Sequence, residues 1–129
     1  MTGKKSRKLT VDGVIYRWNV SHRHVLDVID GRPHCSEMFW AYREGFRNHG
    51  CRMRFPESAE HGPGFPSQSG VVSDYRPPRW SLNLNRPAVA RLLIELATGA
   101  GWVSDASGAP FIVDNAYDFV RGRSPAVPV

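Results

Sequence analysis

The stretch Lys8-Leu9-Thr10-Val11-Asp12-Gly13-Val14-Ile15-Tyr16-Arg17-Trp18-Asn19-Val20 decides the fold class. Asp-Gly between two runs rich in β-branched and aromatic residues marks a two-residue hairpin turn. A type I′ turn needs positive φ at both central positions, and Asp and Gly tolerate it. In the second run Tyr16, Trp18 and Val20 alternate with Ile15, Arg17 and Asn19. A period of two puts the first set on one face of a strand and the second on the other. The chain thus opens on a half-buried antiparallel pair.

Working outward, residues 1–6 form a short basic arm expected to be flexible. On the other side, residues 24–29 predict a third strand, ended by Asp30-Gly31-Arg32-Pro33, and residues 37–43 a fourth. Cys51-Arg52-Met53-Arg54-Phe55 alternates cleanly and predicts a fifth, with both arginines turned to solvent or to a ligand. Residues 56–70 hold three prolines and three glycines and read as a long loop. Val71-Val72 and residues 80–84 predict two more short strands, separated by Pro77-Pro78.

One helix is evident. Asn85 suits an N-cap and Pro87 a first turn. Val89, Leu92, Leu93 and Leu96 follow the i, i+3, i+4, i+7 spacing of an apolar stripe. Gly99 or Gly101 ends the helix, and Trp102 and Val103 are expected to fold back onto it. Residues 110–114 predict a last strand, and residues 121–129 a Pro-containing tail. The expected fold is α+β: a single domain over residues 7–120, with an antiparallel sheet of about seven strands and one main amphipathic helix packed on one face.

Two of these stretches resemble a group of small bacterial proteins, mostly actinobacterial, for which no activity is assigned. The first runs from Leu9-Thr10-Val11-Asp12-Gly13 to Tyr16-Arg17-Trp18 and His22-Arg23-His24; the second joins Leu82-Asn83-Leu84, a Pro-started helix and Gly101-Trp102. Together they cover about half the chain. The resemblance implies a shared fold and carries over no functional residue.

Composition narrows the function classes. The 129 residues are 41% hydrophobic, enough for a core. No run of about 18 apolar residues predicts a spanning helix. No apolar stretch follows the basic start, so no secretory signal is expected and the location expected is cytoplasmic. Two cysteines are too few for a disulfide scaffold. The net charge is +5 and uneven: residues 1–54 hold 11 Lys and Arg against 5 Asp and Glu, the remainder 6 against 7. Such a balance attracts polyanions without naming one.

Candidate chemistry is sparse. No phosphate-cradling Gly loop and no nucleophile elbow occurs. His34-Cys35 and the His49/Cys51 pair are the thiol–imidazole neighbours, but adjacency in sequence does not make a catalytic pair. Asp27 and Asp30, and Glu57 and Glu60, read as solvated loop charge. A metal site, were there one, would use His22, His24, His49 and Cys51, because only these form two same-face i, i+2 pairs; without a Cys-x-x-Cys knuckle or His-Glu-x-x-His helix, no metal and no cofactor is expected. Arginines interleave with aromatics at Tyr16-Arg17-Trp18, Trp40-Ala41-Tyr42-Arg43 and from Tyr75 to Trp80. An exposed sheet face of this kind stacks bases and holds phosphates. The opposing account is that a one-helix fold needs Trp18 and Trp40 in its core. The polyanion set expected from charge alone is Lys4, Lys5, Arg7 and Lys8 of the arm with Arg52 and Arg54.

The sequence therefore predicts a non-catalytic interaction or regulatory module of the bacterial cytosol, whose partner is an unidentified protein or a second copy, with no membrane involved. The alternatives are a nucleic-acid-associated protein and a zinc-dependent site.

Overall fold

The Asp12-Gly13 turn forms with both residues at positive φ, 50° and 82°. It joins β1 (Arg7–Val11) to β2 (Val14–Leu26) in the register Val11↔Val14 and Leu9↔Tyr16. These coordinates are a computed structural model, and the residues it describes are 6–26, 33–57, 61–63, 70–105 and 109–123. The side chains described exclude those of residues 23–26, 33–35 and 61–63. Lys4 and Lys5 lie outside the described residues.

β2 does not stop at Val20. Ser21-His22-Arg23 contains no Gly or Pro to break it, so the second and third expected strands are one, running on to Leu26. β3 (Pro33–Arg43) returns beside it, and β4 (Cys51–Pro56) follows after a single 3₁₀ turn at Arg47–His49. The remaining strands are β5 (His61–Pro63), β6 (Val71–Asp74), β7 (Trp80–Asn83) and β8 (Phe111–Val113).

The expected single seven-stranded antiparallel sheet is not what forms. Among the described residues there are two sheets: a five-stranded one in the order β1-β2-β3-β4-β8, and a three-stranded one in the order β5-β6-β7. The larger is mixed, because β8 runs parallel to β4. A parallel neighbour requires a crossover, and the chain between Pro56 and Phe111 supplies it with the small sheet and α1 (Pro87–Gly99).

α1 begins as Pro87 predicts, but its N-cap is Arg86, without a side-chain cap; Asn85 instead closes a local turn, its N–H donating to Asn83 Oδ1 at 3.0 Å. Its buried residues are Ala90, Leu93, Ile94 and Ala97, so the buried stripe is rotated from the one expected; Val89, Leu92 and Leu96 flank it, partly buried. Gly101, at φ 111°, lets the chain turn back, and Trp102 docks with its ring 5.8 Å from Tyr16. Val103 stays 58% exposed rather than folding back.

A second helix, α2 (Ala116–Arg123), stands across the expected tail boundary at residue 121. Asn115 caps it, its Oδ1 accepting from the Asp118 N–H and its Nδ2 donating to Asp118 Oδ2. Ala116, Tyr117 and Val120 are buried by it. The core unites Trp18, Val20, Phe39, Ala41, Met53 and Phe55 of one face of the large sheet with Val72, Trp80 and Leu82 of the small sheet and with both helices. No helix among the described residues is long and apolar enough to cross a membrane.

Candidate functional site

Burying one face of the five-stranded sheet decides what stands on the other. In β2 the residues alternating with Tyr16, Trp18 and Val20 are Arg17 and Asn19; in β3 those alternating with Phe39 and Ala41 are Met38, Trp40 and Tyr42; in β4 those alternating with Cys51, Met53 and Phe55 are Arg52 and Arg54. Strand pairing lines them up in rows. Lys8, Arg17 and Tyr42 form one row, Asn19, Trp40, Arg52 and Ile112 the next, and Ser21, Met38 and Arg54 a third. Arg52 is exposed, Ile112 is 60% exposed, and Trp40, Tyr42 and Arg54 are half-buried. The buried residues of both helices belong to the core beneath the other face.

Trp40 and Tyr42 make an aromatic pair with centroids 4.7 Å apart. Arg47, from the turn before β4, holds its guanidinium carbon 5.9 Å from the Trp40 ring centre. Arg17 is tied to Glu44 at 2.9 Å, a solvent-exposed pair. No carboxylate among the described residues pairs with Arg47, Arg52 or Arg54. The face therefore combines aromatic planes with three arginines that no carboxylate pairs with among the described residues. A shallow cavity of about 220 Å³ opens on it, lined by Trp40, Arg47, Asn48, Gly50, Arg52 and Pro110.

The turn carrying Arg47 and Asn48 is fixed from the core side. Trp102 Nε1 donates to the His49 carbonyl at 2.7 Å, and the Phe111 N–H donates to the Gly50 carbonyl at 2.9 Å. Gly50 has no room for a side chain, since a Cβ there would meet the Ala41 carbonyl oxygen at 2.9 Å.

Of the expected polyanion residues, Lys8, Arg52 and Arg54 share this open face. Arg7 does not. It lies on the core side beside Trp18, 4.6 Å from the ring centre, and donates to the carbonyl and Oδ1 of Asn85 at 2.8 and 2.9 Å. Trp18 is in the core as expected, but Trp40 is not, because it is one residue out of phase with the buried Phe39 and Ala41. Trp40, Tyr42, Arg47 and Asn48 thus join the site by position. The Tyr75-to-Trp80 stretch does not contribute a stacking face: Trp80 is buried and Arg76 is bound to Asp74 and Asp118.

The metal-ligand set is not gathered to one point. His22 is level with Glu37 and Phe55, whereas Cys51 is level with Ala41 and Trp18, and four residues along a strand is about 13 Å. His22 and His24 do not begin a strand of their own, because β2 is continuous through both. Among the described residues no group of three His, Cys, Asp or Glu side chains could hold a metal ion. The side chains of His24, His34, Cys35 and His61 lie outside those described.

Two buried polar centres serve the fold. His22 Nδ1 and Glu37 Oε1 are 2.8 Å apart at the end of the inner face. Asp74, fully buried, accepts from Arg76 and from Arg121 of α2, while Arg121 also donates to the Arg76 carbonyl at 2.9 Å. Burial raises the Asp74 carboxyl, but the hydrogen bonds from Arg76 and Arg121 outweigh it and hold it well below the usual carboxylate range. Burial pushes the Cys51 thiol up to about 12, so it carries no thiolate at neutral pH. Comparison with protein-family models, with curated proteins and with solved structures finds no match.

Proposed function

We propose that this protein binds single-stranded nucleic acid on the open face of its five-stranded sheet. One observation carries the reading: Trp40 and Tyr42 stand among Arg47, Arg52 and Arg54, none of which is neutralised by a carboxylate among the described residues. A surface built only for solubility spreads its charges and mixes their signs. A protein-partner surface shares the enrichment in Arg, Trp and Tyr but is otherwise depleted of charge at its centre. This face sets Arg47, Arg52 and Arg54 around Trp40 with no carboxylate pairing among the described residues, which favours a polyanion. Exposed aromatic rings with flanking guanidiniums are what an unpaired strand requires, with the bases against the rings and the phosphates on the arginines. In a duplex the base faces are already stacked on one another, so the aromatic part of the surface has nothing to meet.

The recognition expected is sequence-tolerant, because every base has a π-face and stacking is worth only about 1–3 kcal/mol per base. No catalytic group is assigned, and the role is one of binding. This reading gives the unidentified partner of a non-catalytic module a chemical class. The test is fluorescence anisotropy with a labelled 12-nucleotide strand and its duplex at low salt. The strand should bind more tightly than the duplex, and Trp40→Leu should remove most of that preference. Equal binding of strand and duplex, unchanged by Trp40→Leu, would reduce the face to a generic basic patch.

A further inference from the structure

The cavity beside Trp40 is small and open: its volume of about 220 Å³ is below the roughly 300–1,000 Å³ of sites that engulf a drug-sized ligand, so it grips one side of a ligand. We infer that it holds one unpaired nucleotide of the bound strand, the base against Trp40 and the phosphate between Arg47 and Arg52. This rests on the reading just given and adds a defined subsite to it.

The lining supports one chemistry. It is mostly polar, with two guanidiniums and one amide beside Trp40, and no carboxylate among the described residues lines it to repel an anion. A neutral ligand would leave both arginines unused, and a bare phosphate would leave the ring unused; a nucleotide uses both. The Asn48 amide carries a donor and an acceptor, the pair a base edge needs. Arg47 is held only loosely over the ring: 5.9 Å is at the outer limit of about 6 Å for a cation–π contact. An entering base takes the ring face and leaves the Arg47 guanidinium free for the phosphate.

The backbone of the walls is fixed before the ligand arrives. Gly50 forms the floor, where a Cβ would also lie 3.5 Å from Trp40 Nε1. The turn bearing Arg47 and Asn48 hangs from the Trp102 Nε1 bond to the His49 carbonyl, with Trp102 itself in the core. Affinity is spent on ordering the exposed Arg47, Asn48 and Arg52 side chains but not the backbone that carries them.

The four tryptophans allow a direct readout, because Trp18, Trp80 and Trp102 are buried and Trp40 is not. In ¹H–¹⁵N spectra of the full chain, adenosine 5′-monophosphate should shift the Trp40 indole N–H and the Gly50 amide saturably while the Trp18 and Trp80 indoles hold still. Adenosine without phosphate should bind about tenfold more weakly or worse, and Arg52→Gln should cost the monophosphate a similar factor. The still Trp18 and Trp80 signals certify folding in each variant. A 12-nucleotide strand should shift the same signals at far lower concentration. If the strand binds but the monophosphate leaves Trp40 unmoved at millimolar concentration, the subsite is wrong and strand binding stands. If the monophosphate binds and the strand binds no better, the cavity is a free-nucleotide site and the strand reading falls. If neither binds, both fall.

Discussion

Trp40 on β3 and Arg52 on β4 are register partners on the open face of the sheet, their Cβ atoms about 5 Å apart. The pairing sets an aromatic plane beside a guanidinium that no carboxylate among the described residues pairs with. It follows from two facts of parity: Phe39 and Ala41 point into the core, and so do Cys51 and Met53. The site is therefore a by-product of how the core is filled, and damage to the core is expected to reach it.

Leu93 and Leu92 test the helix placement. Leu93 is fully buried and Leu92 only partly. Leu93→Ala should cost about 2–5 kcal/mol, the range for a buried large-to-small change, and Leu92→Ala clearly less. Urea unfolding of the two variants measures the difference, and equal losses would contradict the observed rotation of the stripe.

Asp74 should govern acid stability. Its folded carboxyl is held below the unfolded value of about 3.9. A depressed acid contributes stability that is present above the unfolded pKa and is lost as the pH falls through the folded one. Melting temperature should therefore drop below about pH 4. Asp74→Asn should flatten that drop and lower stability at pH 7 by about 2 kcal/mol, less than for a fully buried pair because Arg76 and Arg121 keep about a quarter of their side chains, 28% and 26%, in solvent. Thermal melts from pH 3 to 7 give both numbers.

Cys51 acts at the other end of the pH scale. Its thiol is raised by burial to about 12, against an ordinary value of about 8.5. A raised acid contributes stability that is complete below the unfolded pKa and is lost as the pH climbs towards the folded one. Stability should decline from about pH 8.5, with buried Tyr117, also raised by burial, adding to the loss above about pH 10. In a Cys35→Ser background, a thiol reagent at neutral pH should label Cys51 only after denaturant is added. Rapid labelling of the native protein would contradict its burial.

Much of this was legible in the sequence. The Asp12-Gly13 hairpin, the alternation of Cys51 to Phe55 with its outward arginines, and the Pro-started helix all follow from local rules. α2 also had a local signal in Asn115, Asp118 and the spacing of Ala116, Tyr117 and Val120, but in a short segment such a signal competes with loop chemistry. The continuity of β2 was readable from the lack of a breaker between Val20 and His24. The second sheet and the parallel β8 were not readable, because which short strands pair is decided by packing far along the chain. The exposure of Trp40 was hidden for the same reason: Phe39-Trp40-Ala41-Tyr42 is apolar at every position, so alternation alone cannot say which face is buried. The pairing with Arg52 and Arg54 settles it.

Strand binding held by phosphate contacts must depend on salt. Each phosphate contact on a single strand contributes about −0.7 to the slope of log K against log salt. Binding of a 12-nucleotide strand should weaken steeply as salt rises, and the double variant Arg52→Gln with Arg54→Gln should make the slope shallower by about 1.4. Arg91→Gln, which alters a helix arginine already close to Glu95 and Asp12, should leave it unchanged. No binding at low salt, or a slope that the double variant does not move, would contradict the account.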